Sequence, residues 1–215
     1  MNNSERLFAA SSFIETGDIV CDVGCDHGYL ALLGLEKGAK RFDLIDNKIG
    51  PLSRSKLNTK DIYDGKNINY YLSDGLDNLN SDVNKIFILG MGGELITSII
   101  DKNKDKIQKE QILVLDAHVN QNTLRKYLFD NYFLIKEEII IKEKNIFYEL
   151  MIVQRSDELV SYNELDLIFG PHLRRKKEPL FIEKWTKILN KYLKIKELNQ
   201  TNELDLMIER IKDVL

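Results

Sequence analysis

The sequence predicts an α/β protein with a mostly parallel sheet that ends in an antiparallel hairpin. Three observations predict this class. Short apolar runs alternate with amphipathic stretches, a glycine-bearing turn follows the first run, and two β-type runs stand back to back later in the chain. With 215 residues, 43% of them hydrophobic, the chain can bury one full core and carry a smaller appendage.

Five apolar runs are expected to form parallel strands, because helical stretches of crossover length lie among them. The strand-forming runs are Ile19–Val23, Arg41–Ile45, Ile68–Leu72, Lys85–Leu89 and Gln111–Leu115. The helical stretches are Tyr29–Lys37, Pro51–Lys60, Glu94–Lys104 and Thr123–Asn131. Two more β-type runs, Phe133–Lys142 and Ile146–Val153, are separated by three residues, which permits a hairpin but no parallel crossover.

Helical spacing replaces the β pattern in the last quarter of the chain. A short helix is expected at Tyr162–Phe169. Two longer amphipathic stretches, beginning at Phe181 and at Leu204, predict an antiparallel helical hairpin that either packs as an appendage or grips a large substrate. We therefore predict two domains, a sheet domain of residues 1–155 and a helical-hairpin domain of residues 156–215.

Composition and charge limit the classes of function. The 31 basic and 34 acidic residues give a formal net charge of −3, which counts mildly against a nucleic-acid-binding protein but allows a local basic patch. No window approaches the ~18 apolar residues of a membrane span, and no signal-peptide pattern is present, so we expect a cytoplasmic protein without membrane contact. Cys21 and Cys25 are expected to be free thiols in a reducing compartment, and no metal site is expected.

The segment Cys21–Leu30, which reads Cys-Asp-Val-Gly-Cys-Asp-His-Gly-Tyr-Leu, is the most informative part of the chain. A glycine-bearing turn between a strand and a helix brings backbone N–H groups close to a ligand. The pyrophosphate-binding pattern G-x-G-x-x-G would require glycine where Asp26 stands, and a carboxylate there repels a pyrophosphate. The loop therefore favours a cationic ligand with an amino group, such as S-adenosylmethionine, over a nicotinamide dinucleotide.

Carboxylates follow or end three consecutive predicted strands, where ligands of open α/β sheets bind. Asp46 suits the hydroxyls of an adenosine ribose, with a helix cap as the alternative role. Asp74 suits an adenine amine, with an ordinary Asp-Gly turn as the alternative. The predicted cofactor-binding residues are Asp22, Gly24, Cys25, Asp26, His27, Tyr29, Asp46, Asn47, Asp74, Gly75, Gly90 and Met91.

The run Gly90–Gly93, Gly-Met-Gly-Gly, ends the fourth predicted strand, at the place that borders the transferred methyl group in methyltransferases. N-methyltransferases that act on exocyclic amines often carry Asn-Pro-Pro-aromatic there, and this chain does not, so its nucleophile should need no such grip. His27 and Asp116 are the candidate catalytic residues. Their alternative roles are structural hydrogen bonding for His27 and helix capping for Asp116, and His118 shares the position past the fifth strand.

These motifs make the sequence similar to the bacterial tRNA adenine-22 N1-methyltransferases, the TrmK family. The matching elements occur in family order: Arg6-Leu7, Asp22–Leu30, Gly50-Pro51, Asp74-Gly75-Leu76, Gly90–Gly93, Leu124-Arg125-Lys126, Phe147-Tyr148-Glu149 and Phe169-Gly170-Pro171. The chain departs from the family at Gly28, usually Ala, and at Asp46, usually Glu. It also has Asp116-Ala117-His118 where Gln-Pro-Asn is common, a change on the substrate side rather than the cofactor side.

The resemblance implies a Rossmann-like class I methyltransferase that transfers a methyl group from S-adenosylmethionine to N1 of adenine 22 in tRNA. That nitrogen has an in-plane lone pair, so alignment supplies most of the catalysis, and a general base is optional. The base must leave its stack first, which gives the helical hairpin the task of holding tRNA.

The implied protein is a monomer without a metal. The residues expected to contact RNA are Arg6, Arg125, Lys126, Arg174, Arg175, Lys176 and Lys177. Two alternatives remain: a methyltransferase acting on a small molecule or a protein, and a cofactor- and RNA-binding protein without catalysis.

Overall fold

The computed structural model describes residues 4–60, 67–199 and 201–215. Its seven strands are β1 Ile19–Val23, β2 Arg41–Asp46, β3 Ile68–Leu72, β4 Lys85–Met91, β5 Ile112–Ala117, β6 Phe133–Glu143 and β7 Ile146–Arg155. They form one sheet in the order β3-β2-β1-β4-β5-β7-β6. The first five strands run parallel, and β7 lies antiparallel between β5 and β6. The predicted parallel sheet with a closing antiparallel hairpin is confirmed.

Five helices cover the two faces of this sheet: α1 Glu5–Ser11, α2 Tyr29–Glu36, α3 Ile49–Lys60, α4 Gly93–Asn103 and α5 Gln121–Asp130. Alternation along β1 sends Val20 to one face and Cys21 to the other. On the first face the core includes Leu30 of α2, and on the second it includes Ile96 of α4. Each such buried side chain contributes about 1.5–3 kcal/mol, so the two cores fix the sheet and the loops at its edge.

Most element boundaries lie within about two residues of their predicted positions. Asp116 is a difference that matters, because it lies inside β5 rather than past it. The β6–β7 turn is also shorter than predicted. Lys144 and Asn145 form it with φ of +48° and +65°, the left-handed pair that a two-residue hairpin turn of the right twist needs.

The remaining helices are α6 Glu164–Phe169, α7 Leu173–Lys176, α8 Pro179–Leu198 and α9 Asn202–Val214. Asn163 and Asp166 form a capping box on α6, and Pro179 occupies the first turn of α8, where its missing N–H costs nothing. The short α7 was not predicted. We call α8 and α9 together the helical arm; of its predicted polar loop, residue 200 lies outside the described residues.

The helical arm is packed onto the sheet by a third apolar cluster. Phe169, Phe181 and Trp185 meet Ile140 of β6, and the rings of Phe169 and Trp185 lie edge to face at 4.5 Å. The division of the chain at residue 155 stays a prediction, since this cluster joins residues from both sides of it. In the described part of the chain, no helix is long and apolar enough to cross a membrane.

Candidate active site

A cleft of about 350 Å³ opens at the carboxyl ends of β1 to β4. A smaller cavity of about 150 Å³ adjoins it, and Gly24 and Asp26 line both. The predicted residues on the cleft are Gly24, Asp26, Asp46, Asn47, Asp74, Gly75 and Met91, and those on the smaller cavity add Asp22, Cys25, His27 and Tyr29. Gly90 lies beside Arg6, which also lines the smaller cavity. The fold thus brings all the predicted cofactor-binding residues together, and their binding role stays a prediction.

Gly24 makes the closest approach between the first loop and β4. Its φ is +74°, and a Cβ there would lie 2.3 Å from Cε of Met91. A larger residue would therefore be strained, and the end of the Met91 side chain would have to move. The N–H groups of Gly24 and Cys25 both donate to the carbonyl of Ile45, so the missing side chain of Gly24, and not a free N–H group, makes the room at this point.

Asp22 and Asp46 supply the negative charge at the bottom of the site. Asp22 is buried, and this burial together with the charge of Asp46 raises its pKa to about 7, against an opposing effect of Arg6. Asp46 accepts a hydrogen bond at Oδ1 from the backbone N–H of Lys48 at 2.8 Å. A cationic ligand near these two carboxylates would favour the ionised form of Asp22.

The other two acids of the cleft have basic partners that the sequence analysis missed. Arg54 Nη2 lies 2.7 Å from Asp26 Oδ1, and Lys102 Nζ lies 3.1 Å from Asp74 Oδ2. The cleft is therefore less negative than predicted at Asp26 and Asp74. Helical spacing indicated that Arg54 faces this cleft, because it stands three residues after Pro51 on α3 and therefore on the same helix face.

The two candidate catalytic residues lie in different surroundings. His27 is 42% exposed, its Nε2 is 3.5 Å from Asp26 Oδ2, and its ring stacks on Tyr29 at 5.4 Å. Asp116 is fully buried, and its Oδ2 accepts a hydrogen bond from Arg6 Nη1 at 2.6 Å. Its expected role as a helix cap is absent, because the α5 N-cap is Asn120.

Arg125 was predicted to contact RNA, and this prediction is wrong. Its side chain is fully buried, with donors 2.8 Å from Glu138 Oε1 and 2.6 Å from Glu149 Oε2. Lys184 of α8 also contacts Glu149, which closes a four-residue ion cluster connecting α5, β6, β7 and α8. A phosphate cannot reach this guanidinium. Glutamates at inward-facing strand positions were the sequence signal for a buried cation.

The basic run after α6 is partly occupied by contacts within the protein. Arg174 Nε lies 2.7 Å from Asp166 Oδ1, and Arg175 Nε donates to the carbonyl of Pro171. Lys176 and Lys177 are exposed. Among the other predicted RNA contacts, Arg6 is bound to Asp116, and Lys126 forms a surface pair with Asp130 at 2.6 Å. RNA binding by these residues stays a prediction.

Comparison with known proteins identifies the family. The family model for TrmK, described as tRNA (adenine(22)-N(1))-methyltransferase, matches residues 20–214. The chain belongs to the TrmK family. The resemblance carried by the Asp-His-Gly-Tyr-Leu and Gly-Met-Gly-Gly motifs is thereby confirmed, as are the methyltransferase fold and the enzyme class.

Individual TrmK relatives cover nearly the whole chain. The tRNA (adenine(22)-N(1))-methyltransferase of Bacillus subtilis is 26% identical over an alignment spanning 98% of this chain and 92% of its own. The crystal structure of the B. subtilis m1A22 tRNA methyltransferase TrmK aligns with a TM-score of 0.86 at 26% identity, covering 98% of this chain and 97% of that one. The crystal structure of a Streptococcus pneumoniae protein, a candidate tRNA (m1A22) methyltransferase in complex with S-adenosyl-L-methionine, aligns with a TM-score of 0.91 at 32% identity. The alignment covers 99% of each chain.

Proposed function

We propose that this TrmK protein transfers the methyl group of S-adenosylmethionine to N1 of adenine 22 in tRNA. The observation that carries the proposal is the family match over residues 20–214, together with the cleft at the strand ends that gathers the predicted cofactor residues. We include in the proposal that a single chain acts without a metal ion in the cytoplasm. Among the described residues, no group of three His, Cys, Asp or Glu side chains is arranged to hold a metal.

The residues of the cleft fit S-adenosylmethionine part by part. Asp46 would accept hydrogen bonds from the ribose hydroxyls, and Asp74 from the adenine amine. The amino group would lie toward Asp22, which is more buried than Asp46. Gly24 and Gly75, with φ of +74° and +52°, let the two loops approach the ligand without side-chain collision. Leu95 and Ile99 supply the apolar wall of the same cleft.

The bound cofactor supplies a methyl group on a sulfonium: the S–CH₃ bond breaks as the N1–CH₃ bond forms, and the bonding pair stays on sulfur. The positive charge consequently moves to the adenine. N1 needs no prior deprotonation, so this chain's task is to align the base and exclude water, an effect worth ~7 kcal/mol or more in well-oriented systems. His27 and Asp116 remain the candidates for handling the exocyclic amine.

The helical arm is the proposed tRNA-gripping element. Along α8, Lys184 contacts Glu149, and one turn later Lys187 contacts the ring of Phe147. The helix therefore follows β7 toward the β6–β7 turn. That turn lies at the sheet edge that holds the cleft, because β6 runs in the same direction as β5. The eleven residues of α8 after Lys187 add about 16 Å. The arm therefore extends past the catalytic edge.

A row of lysines follows this extension. Lys187, Lys191 and Lys194 are exposed and border one long groove on α8. Such spacing, at three and four residues, places the ammonium groups on one helix face. We therefore extend the proposed RNA contacts from Lys176 and Lys177 to these three lysines, in place of the buried Arg125.

The decisive experiment maps the modified nucleotide after unmodified tRNA is incubated with the enzyme and labelled cofactor. We expect label at adenine 22, and none in a tRNA with guanine at that position. Label in protein or small amines would favour the alternative methyltransferases, and an absence of single-turnover transfer would favour a non-catalytic binding protein. For the arm, Lys191→Ala with Lys194→Ala should weaken tRNA binding and lower the salt slope by about 1–2. Lys40→Ala with Lys109→Ala removes the same charge elsewhere and should not.

A further inference from the structure

Asp116 has an unused hydrogen-bond acceptor at the catalytic edge. It pairs in register with Leu89, immediately before Gly90 and Met91. Its Oδ2 accepts from Arg6 and lies 3.4 Å from His118 Nε2. Its Oδ1 is buried and has no hydrogen-bond partner among the described residues. A buried carboxylate oxygen left in this state is costly, which points to a donor supplied by a bound molecule.

The groups around Asp116 are those that hold a planar base. His118 is 40% exposed and meets Tyr148 edge to face at 5.2 Å. The Arg6 guanidinium lies over the Tyr148 ring, 5.3 Å from its centroid. Gly90 leaves room here, since a Cβ at that position would lie 3.1 Å from Arg6 Nη1. Aromatic rings and an arginine plane form stacking surfaces for an unstacked base.

We propose that Asp116 selects adenine by accepting a hydrogen bond at Oδ1 from the exocyclic N6 amine of the target base. This inference rests on the proposed function and names the group that recognises its substrate. Adenine presents an N–H donor beside N1, whereas guanine presents a carbonyl oxygen beside its N1, which a carboxylate repels. Arg6 and His118 both lie against Oδ2 of Asp116, so Oδ1 is the oxygen left for the base.

The chemistry of methyl transfer favours a carboxylate at this place. The adenine becomes cationic as its N1–CH₃ bond forms, and the exocyclic amine shares that charge. A hydrogen bond from N6 to Asp116 therefore strengthens toward the transition state, which raises the rate as well as the selectivity. Arg6 pairs with Oδ2 of Asp116 at 2.6 Å and balances its charge before the base arrives.

The test compares two tRNAs that differ only at position 22, one with adenosine and one with purine riboside, which lacks the N6 amine. The ratio of kcat/KM on the adenosine tRNA to kcat/KM on the purine tRNA should be at least about tenfold larger for the wild type than for Asp116→Ala. The reason is that purine riboside loses a hydrogen bond to a charged group only when Asp116 is present. Asp116→Asn should behave like Asp116→Ala, since Arg6 takes its one oxygen and its NH₂ faces the base. Asp82→Asn, on the surface pair with Arg41, is the control and should keep the wild-type ratio.

The substrate ratio separates recognition from a structural role. A merely structural Asp116 would lower both rates together, and an adenosine-to-purine ratio within about twofold of wild type in the variants would overturn the inference. Cofactor binding, measured by calorimetry, shows which of the two Asp116 variants is folded. The substrate ratio of one folded variant is enough to decide the test. If neither variant folds, the wild-type ratio is compared with the ratio of N1 methylation of adenosine and purine riboside by a small methylating agent, and a ratio no larger than that one overturns the inference. If the wild type methylates neither tRNA, the proposed function has failed instead.

Discussion

Replacing Arg125 with methionine removes the central cation of the buried ion cluster and keeps most of the side-chain volume. The carboxylates of Glu138 and Glu149 are each exposed by 1% or less; Glu138 then loses its arginine partner, and Glu149 keeps only Lys184. Breaking a buried pair from one side typically costs about 3–5 kcal/mol. For a chain of this length each kcal/mol lowers the melting temperature by about 2–4 °C, so Arg125→Met should melt about 6–20 °C below the wild type.

The same cluster makes a pH-dependent contribution whose sign follows from Glu149. Burial alone would raise the pKa of Glu149, but Lys184 and Arg125 lower it from 4.5 to about 2. A group with a lowered folded-state pKa stabilises the fold above its unfolded pKa and loses that contribution as the pH falls. Acidification from about pH 4.5 to 2 should therefore remove roughly 3 kcal/mol from the wild type and clearly less from Arg125→Met.

Thermal melts followed by circular dichroism between about pH 7 and about pH 2 check both expectations. Lys126→Met is the matched control, because Lys126 is the next residue on α5 and its contacts, with Asp130 and the Tyr162 hydroxyl, are exposed. Its melting temperature should stay close to that of the wild type. The reasoning is refuted if Arg125→Met melts within 2 °C of Lys126→Met. Weaker tRNA binding at an unchanged melting temperature would restore the original RNA-contact hypothesis for Arg125.

Three further predictions concern the cofactor cleft and are measured by calorimetry with S-adenosylmethionine. Gly24→Ala should weaken binding about tenfold, because of its φ of +74° and the 2.3 Å approach to Met91, and this strain of about 1–3 kcal/mol should also lower the melting temperature by several degrees. Binding should strengthen from pH 6 to 8 as Asp22, whose pKa is about 7, ionises, and Asp22→Asn should flatten this dependence. Asp46→Ala should also lower the affinity for the cofactor by at least about tenfold. Wild-type affinity in both Asp22→Asn and Asp46→Ala would remove the site assignment.

The direction of the strands could be predicted because it follows from local patterns, whereas the order β3-β2-β1-β4-β5-β7-β6 came from the structure. Apolar runs, crossover lengths and the short link between β6 and β7 are all properties of neighbouring residues. The predicted cofactor residues also came together, since the carboxyl ends of parallel strands share one edge. The short α7 was missed because its apolar content, Leu173 in a basic run, gives no helical period.

The charge partners could not be predicted, because each pair joins residues distant in the sequence. Arg54 meets Asp26 across 28 positions, and Arg6 meets Asp116 across 110. A lone basic residue in a sequence looks the same whether it faces solvent or a buried carboxylate. Arg125 was therefore assigned to RNA, because the glutamates of β6 and β7 could indicate a buried cation but not which basic residue supplies it.

The segment Phe147-Tyr148-Glu149 of β7 connects the helical arm to the base site proposed around Asp116. Successive side chains of a strand point to opposite faces, so Tyr148 meets Arg6 and His118 while its two neighbours meet α8. A shift of α8 that moved β7 by 1 Å would therefore move Tyr148 as well, and a displacement of that size can cost about a hundredfold in rate. The buried ion cluster limits this movement, because Glu149 is held from both α5 and α8. The position of the arm proposed to grip tRNA and the position of the ring proposed to meet the base are consequently set by the same three residues.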